Sequence, residues 1–144
     1  MIGGMFDSGS MPVLERLVQF TGQRHKLLTH NIANLSTPNF RPRGLDPASF
    51  QDALADAIDT RRDRGGTFRG PLELRDTADL RFTADGIEVR QTPRDENLLF
   101  HDRNNRSLER MMQDLAENAL THNAALEMLR NQFGVMETAI RERV

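Results

Sequence analysis

Histidines and carboxylates are the residues of this chain that could do chemistry, and their spacing decides whether they can. The histidines are His25, His30, His101 and His122. His25 and His30 are five apart, so on a helix they do not share a face as an i, i+4 metal pair would. No His-Glu-x-x-His and no Glu-x-x-His pattern occurs. Cysteine is absent, which excludes a disulfide framework and a thiolate metal site. Gly-x-Ser-x-Gly, the phosphate-cradling P-loop and Gly-x-Gly-x-x-Gly are also missing; Gly65-Gly66 and Gly70 read as breakers. Glu109, Asp114, Glu117 and Glu127 fall mostly on the outer face of an expected helix, which reads as solvated surface rather than a catalytic carboxylate pair. The basic run "RPRG", followed by Arg61, Arg62 and Arg64, has acids interleaved and no aromatic stacking platform. It reads as solvated surface or a subunit contact rather than a nucleic-acid site. The expectation is no catalytic residue, no cofactor and no metal.

One polar constellation remains, residues 31–40, "NIANLSTPNF". Ile32 and Leu35 end an apolar seam, with Asn31 and Asn34 beside it. Thr37 precedes proline and is biased to extended backbone, which stops a helix. Pro38 presets φ for the first corner of a turn, and Asn39 tolerates the left-handed conformation of the second. Phe40 can then fold back on the helix end. The stretch reads as a helix stop and chain reversal with amide groups exposed at it.

The elements that position this reversal follow from periodicity. Ser10 is a plausible N-cap, with Pro12 just inside the helix and Glu15 in its first turn. Met11, Leu14, Val18, Leu28, Ile32 and Leu35 recur in steps of three and four if Thr21 and His25 fill the gaps, a helix-pairing seam. The C-terminal helix, expected to start at Ser107, repeats the signature with Leu108, Met112, Leu115, Ala119, His122, Leu126, Leu129, Phe133, Met136 and Ile140. At 1.5 Å per residue it is roughly 50 Å long, and it cannot bury its stripe alone. His25 and His122 sit where hydrophobes belong, either as amphipathic fillers or as a register device. If the helices pair antiparallel with Leu35 level with Leu108, the two histidines become near neighbours, with Asn118 in reach.

Between these helices, "LDPASFQDALADAIDTRR" reads as a short helix capped by Asp46, with Phe50, Leu54, Ala57 and Ile58 on its stripe and "RRDRGG" breaking it. "LRFTADGIEVRQ" reads as a hairpin around Asp85-Gly86, and "TPRDENLLFHDRNNR" as a polar loop. The expected fold is mainly α. Long N- and C-terminal helices pair as a coiled-coil-like inner domain, with a short helix and a small β-hairpin/loop region between them. The expected division is a flexible lead at 1–10, the N-terminal helix and turn motif at 11–40, a variable middle at 41–106 and the C-terminal helix at 107–144. A lone hairpin is marginal in water, so the middle is expected to be the most mobile part.

Composition agrees with a chain that completes its core with partners. Hydrophobic residues are 38% of the 144, Trp and Tyr are absent, and Phe supplies all eight aromatics. Mean hydropathy is −0.58. A net charge of −2 shows no basic surplus for nucleic acid. No apolar run approaches the roughly 18 residues of a membrane span. The first residues lack a basic and then apolar leader, so the chain is expected to be cytosolic or exported without a cleaved signal peptide.

"HNIANLSTPNF" resembles the Asn-Ile-Ala-Asn-x-x-Thr-Pro-Gly-Phe/Tyr motif of bacterial flagellar rod and hook proteins. Asn31, Ile32, Ala33, Asn34, Thr37, Pro38 and Phe40 match, and Asn39 replaces the usual Gly. "RPRGLD" is loosely similar to the segment that follows in that family. The short length and Asn105, Leu108, Glu109, Met112, Leu115, Ala116, Glu117, Asn118 and Leu120 resemble the proximal-rod members. The resemblance implies a non-catalytic subunit of the flagellar basal-body rod, the hollow drive-shaft across the periplasm required for motility. It implies helix pairing through Leu14, Val18, Leu28, Leu35, Leu108, Met112, Leu115, Leu126, Leu129, Phe133, Met136 and Ile140. It also implies export by the flagellar type III apparatus. The implied partners are further copies, the rod proteins FlgC, FlgF and FlgG, the adaptor FliE and the membrane-ring protein FliF. The competing reading is a cytosolic helical adaptor or regulator that grips one partner with the seamed helix. A small helical enzyme lacks any paired nucleophile and base.

Overall fold

A computed structural model describes residues 9–40, 42–65, 71–83, 85–90 and 106–142. It is mainly helical: α1 (Met11–Ala33), α2 (Pro47–Gly65), the strands β1 (Leu80–Phe82) and β2 (Ile87–Val89), and α3 (Arg106–Arg141). The lead at 1–8 and most of the loop before α3 lie outside the described residues.

α1 begins with proline in its first turn, and the Leu14 N–H donates to the Ser10 carbonyl at 3.0 Å. Ser10 is the N-cap, but its hydroxyl makes no capping bond. Its backbone is already helical (φ −86°, ψ −6°), not in the β region from which a cap side chain reaches the first free N–H groups. Glu15 lies beyond the first turn, which carries no acid. Ser107, expected as the cap of α3, falls inside that helix, which starts at Arg106.

Asp46 does cap α2. Its carboxylate accepts the Ala48 N–H at 3.2 Å and the Ser49 N–H at 3.3 Å. α2 runs through the arginines and ends at Gly65, within the expected breaker. Arg61 continues the buried row of Phe50 and Ala57, and its guanidinium donates to the Gly9 carbonyl at 3.0 Å.

The hairpin pairs Leu80 with Val89, Arg81 with Glu88 and Phe82 with Ile87, antiparallel. The Thr83 N–H donates to the Gly86 carbonyl at 2.9 Å, so the reversal lies between these two residues. Arg16 of α1 secures this end. Its Nη2 donates to the Thr83 carbonyl at 3.0 Å and its Nη1 to the Gly86 carbonyl at 3.2 Å.

The core cluster is Phe20, Leu45, Phe50, Leu80 and Ile87. Phe20 and Phe50 stack with centroids 4.0 Å apart. The middle of the chain, expected to be the loosest part, supplies every member but Phe20. A three-residue hairpin cannot hold itself, but here its apolar face is covered by α1 and α2. α1 therefore serves two neighbours, the core and α3.

Candidate assembly interface

The helix stop at residues 31–40 forms from local chemistry. α1 ends at Ala33, and the Asn34 N–H still reaches the His30 carbonyl at 3.2 Å. The Phe40 N–H donates to the Thr37 carbonyl at 3.2 Å, closing a turn with Pro38 and Asn39 at its corners. Asn39 has φ +60°, the left-handed value that the second corner of a type II turn requires. Phe40 folds back edge-on to His30, with centroids 5.6 Å apart. The Asn34 amide donates to the His30 carbonyl at 2.8 Å and lies within 3.4 Å of the Thr37 hydroxyl. Ile32 is half-buried, and Ala33 and Pro38 are exposed.

Asn31 departs from the expectation of exposed amides. It is buried, and it clamps the returning chain. Its Nδ2 donates to the Arg43 carbonyl at 2.5 Å, and its Oδ1 accepts the Arg43 N–H at 3.1 Å. The side chain thus imitates one rung of a β-ladder. No sequence signal marks a partner twelve residues away.

α3 packs antiparallel on α1. Arg24 pairs with Asp114 at 3.8 Å, and Asn118 Nδ2 donates to the Thr21 carbonyl at 2.9 Å. Thr21 Oγ1 and His122 Nδ1 lie 2.7 Å apart. Thr21 and Asn118 are both buried. This register corrects the expected histidine pair. His25 is exposed, and Asn118 and His122 face Thr21, one turn earlier on α1.

Both seams share the same phase error. On α1, Leu14, Thr21 and Leu28 are buried at seven-residue spacing, and Arg24, which meets Asp114, takes the place expected for the exposed His25; Ile32 is half-buried. On α3, Leu108, Leu115, His122 and Leu129 are half-buried, and the intervening positions are Met111, Asn118 and Ala125. Met112, expected in the pair, is 53% exposed. Val18, Leu35 and Leu126 are half-buried.

The pairing runs out before α3 does. Met11 lies ten residues before Thr21, which brings the start of α1 level with about residue 130 of α3 at 1.5 Å per residue. The last turns of α3 carry Phe133 (44% exposed), half-buried Met136 and Ile140 (51%) on the same side, with no described element over them. Phe133 and Ile140 therefore lie beyond the start of α1.

Among the described residues, no group of His, Cys, Asp or Glu could hold a metal ion, and no helix is long and apolar enough to cross a membrane.

A paired N- and C-terminal helix, a short central helix and hairpin, and a helix end with exposed apolar side chains define a mainly helical protein. The chain is similar to the flagellar basal body rod protein FlgB of Bacillus subtilis (strain 168). Identity is 27% over 134 residues, spanning 92% of this chain and 94% of that protein. The likeness supports a FlgB-like flagellar rod family, the one the turn motif resembles. No family model matches the chain, and no solved structure matches it.

Proposed function

We propose that this chain is a non-catalytic structural subunit of the flagellar basal-body rod, in its proximal part. It assembles with further copies and with the other rod proteins into the hollow drive-shaft across the periplasm, and motility requires it. The observation that carries this reading is the α3 end, where Phe133 and Ile140 continue the pairing face past the start of α1. A full-length likeness to a rod protein supports it, and that likeness does not favour the cytosolic adaptor. In this reading the clamped turn fixes how the chain leaves α1, and the free end of α3 enters a neighbouring subunit. FlgC, FlgF and FlgG are its neighbours along the rod, and FliE and the membrane-ring protein FliF lie at its base. The flagellar type III apparatus exports it.

The test is Phe133→Asp. The side chain is 44% exposed, so the monomer's melting curve should be unchanged. An interface there would have to desolvate the new carboxylate, at several kcal/mol. Cells carrying the variant should export the protein, yet fail to swim and lack complete rods. Normal swimming would show that the α3 end is not the interface. Intact rods after deletion of the gene would overturn the function itself.

A further inference from the structure

The turn motif positions more than a chain reversal. Lys26 of α1, Arg43 of the clamped connection and Arg90 at the end of β2 line one cleft, and no acidic side chain lines it. Its volume is about 180 Å³, below the roughly 300–1,000 Å³ of small-molecule sites. Arg90 pairs with Asp76 at 2.7 Å. Lys26 and Arg43 have no ionic partner among the described residues. The backbone of Arg43 is held at both its N–H and its carbonyl by Asn31, so this cation is placed before anything binds.

A complementary surface lies on α2. Asp52, Asp56, Asp59 and Asp63 recur in steps of four, three and four, which at 3.6 residues per turn puts them on one face. All four are exposed. They stand opposite the row of Phe50, Ala57 and Arg61 that α2 buries, so they point away from the body of the molecule. Among the described residues, only Asp59 has a cation near it, Arg62 at 3.6 Å, with both side chains more than half exposed.

We propose that the aspartate face of α2 on one copy docks against the Lys26–Arg43–Arg90 cleft of the next copy. The inference rests on the reading of the chain as a self-assembling subunit and names a charged contact for it. The net charge of −2 supplies no overall attraction or strong repulsion, so the separated patches decide the approach. The aspartates face outward and cannot turn back to the cleft of their own molecule. Two different patches that meet between copies form a heterologous contact, which propagates instead of closing a dimer.

The experiment uses three full-length proteins. They are wild type, Lys26→Glu plus Arg43→Glu, and Asp56→Lys plus Asp59→Lys, each checked for an unchanged helical signal. Self-association is read by sedimentation velocity. Wild-type association should weaken roughly tenfold between 50 and 500 mM NaCl, because salt screens exposed charges. Each variant alone should stay monomeric at concentrations where wild type associates. Mixing the two variants should restore association, because each then offers the charge the other needs. Variants that associate like wild type, or a mixture that stays monomeric, would overturn the contact. So would loss of binding to anionic vesicles in the Lys26→Glu plus Arg43→Glu protein with self-association intact, which would give the cleft to lipid. If association is salt-insensitive but abolished by Phe133→Asp, this contact is wrong and the rod reading stands.

Discussion

Replacing Asn31 by alanine removes both bonds to the Arg43 backbone. At about 1 kcal/mol net for each, the loss is about 2 kcal/mol. Arg43 is exposed, so water can take over its freed N–H and carbonyl, and no buried-orphan penalty adds to the sum. For a chain of this size, 1 kcal/mol shifts Tm by about 3–4 °C, so the melt should fall by about 6–8 °C. The assay is urea and thermal unfolding followed by far-ultraviolet circular dichroism. The urea midpoint should drop with an unchanged slope, because the same surface unfolds. Asn31→Asp is the informative companion. It keeps the acceptor for the Arg43 N–H but sets a carboxylate against the Arg43 carbonyl, so it should cost at least as much. Asn31→Ala within about 0.5 kcal/mol of wild type, the range of ordinary surface changes, would refute the clamp.

Other substitutions probe other parts of the molecule. Asn39→Val should cost about 1–2 kcal/mol, because a β-branched side chain resists φ +60°, whereas Asn39→Gly should be tolerated; urea midpoints compare the two. Phe50→Ala, at the stacked centre of the core, should cost about 3–5 kcal/mol in the same titration. His25→Ala should leave Tm nearly unchanged, while His122→Ala should cost about 1 kcal/mol through the lost Thr21 contact. Equal effects from the two histidines would argue against this helix register.

Much of the backbone plan was readable because it rests on local chemistry. Asp46-Pro47 caps a helix, and Pro38-Asn39 makes a turn with one left-handed corner. Alternation placed Leu80, Phe82, Ile87 and Val89 on two strands. The phase of the helix pair was not readable. Carrying one unbroken apolar register along the helix selects Met112, Ala119 and Leu126, whereas α3 turns Met111, Asn118 and Ala125 to its partner. A hydrogen bond from Asn118 to a main-chain carbonyl has value at that position that no hydrophobicity scale records. The Arg16 and Asn31 clamps were unreadable for a related reason. Each joins a side chain to backbone atoms, and every residue type supplies those.

The core cluster contains no residue of α3. Among the described side chains of that helix, only Asn118 and Ala125 are buried. The bond between Thr21 and His122 closes a loop of 101 residues, whereas Phe20, Leu45, Phe50, Leu80 and Ile87 meet within the first ninety. Loop closure costs entropy that grows with length, so the contacts around Phe50 can form while α3 is still unattached. α3 then docks last, and it does so along α1, the most extensive contact between elements of the described structure. A helix that docks last on α1 of its own chain could use the same face on α1 of another copy. In an assembly of copies such as the one proposed, exchange of α3 between neighbours would give joints of the same make as the monomer's own helix pair.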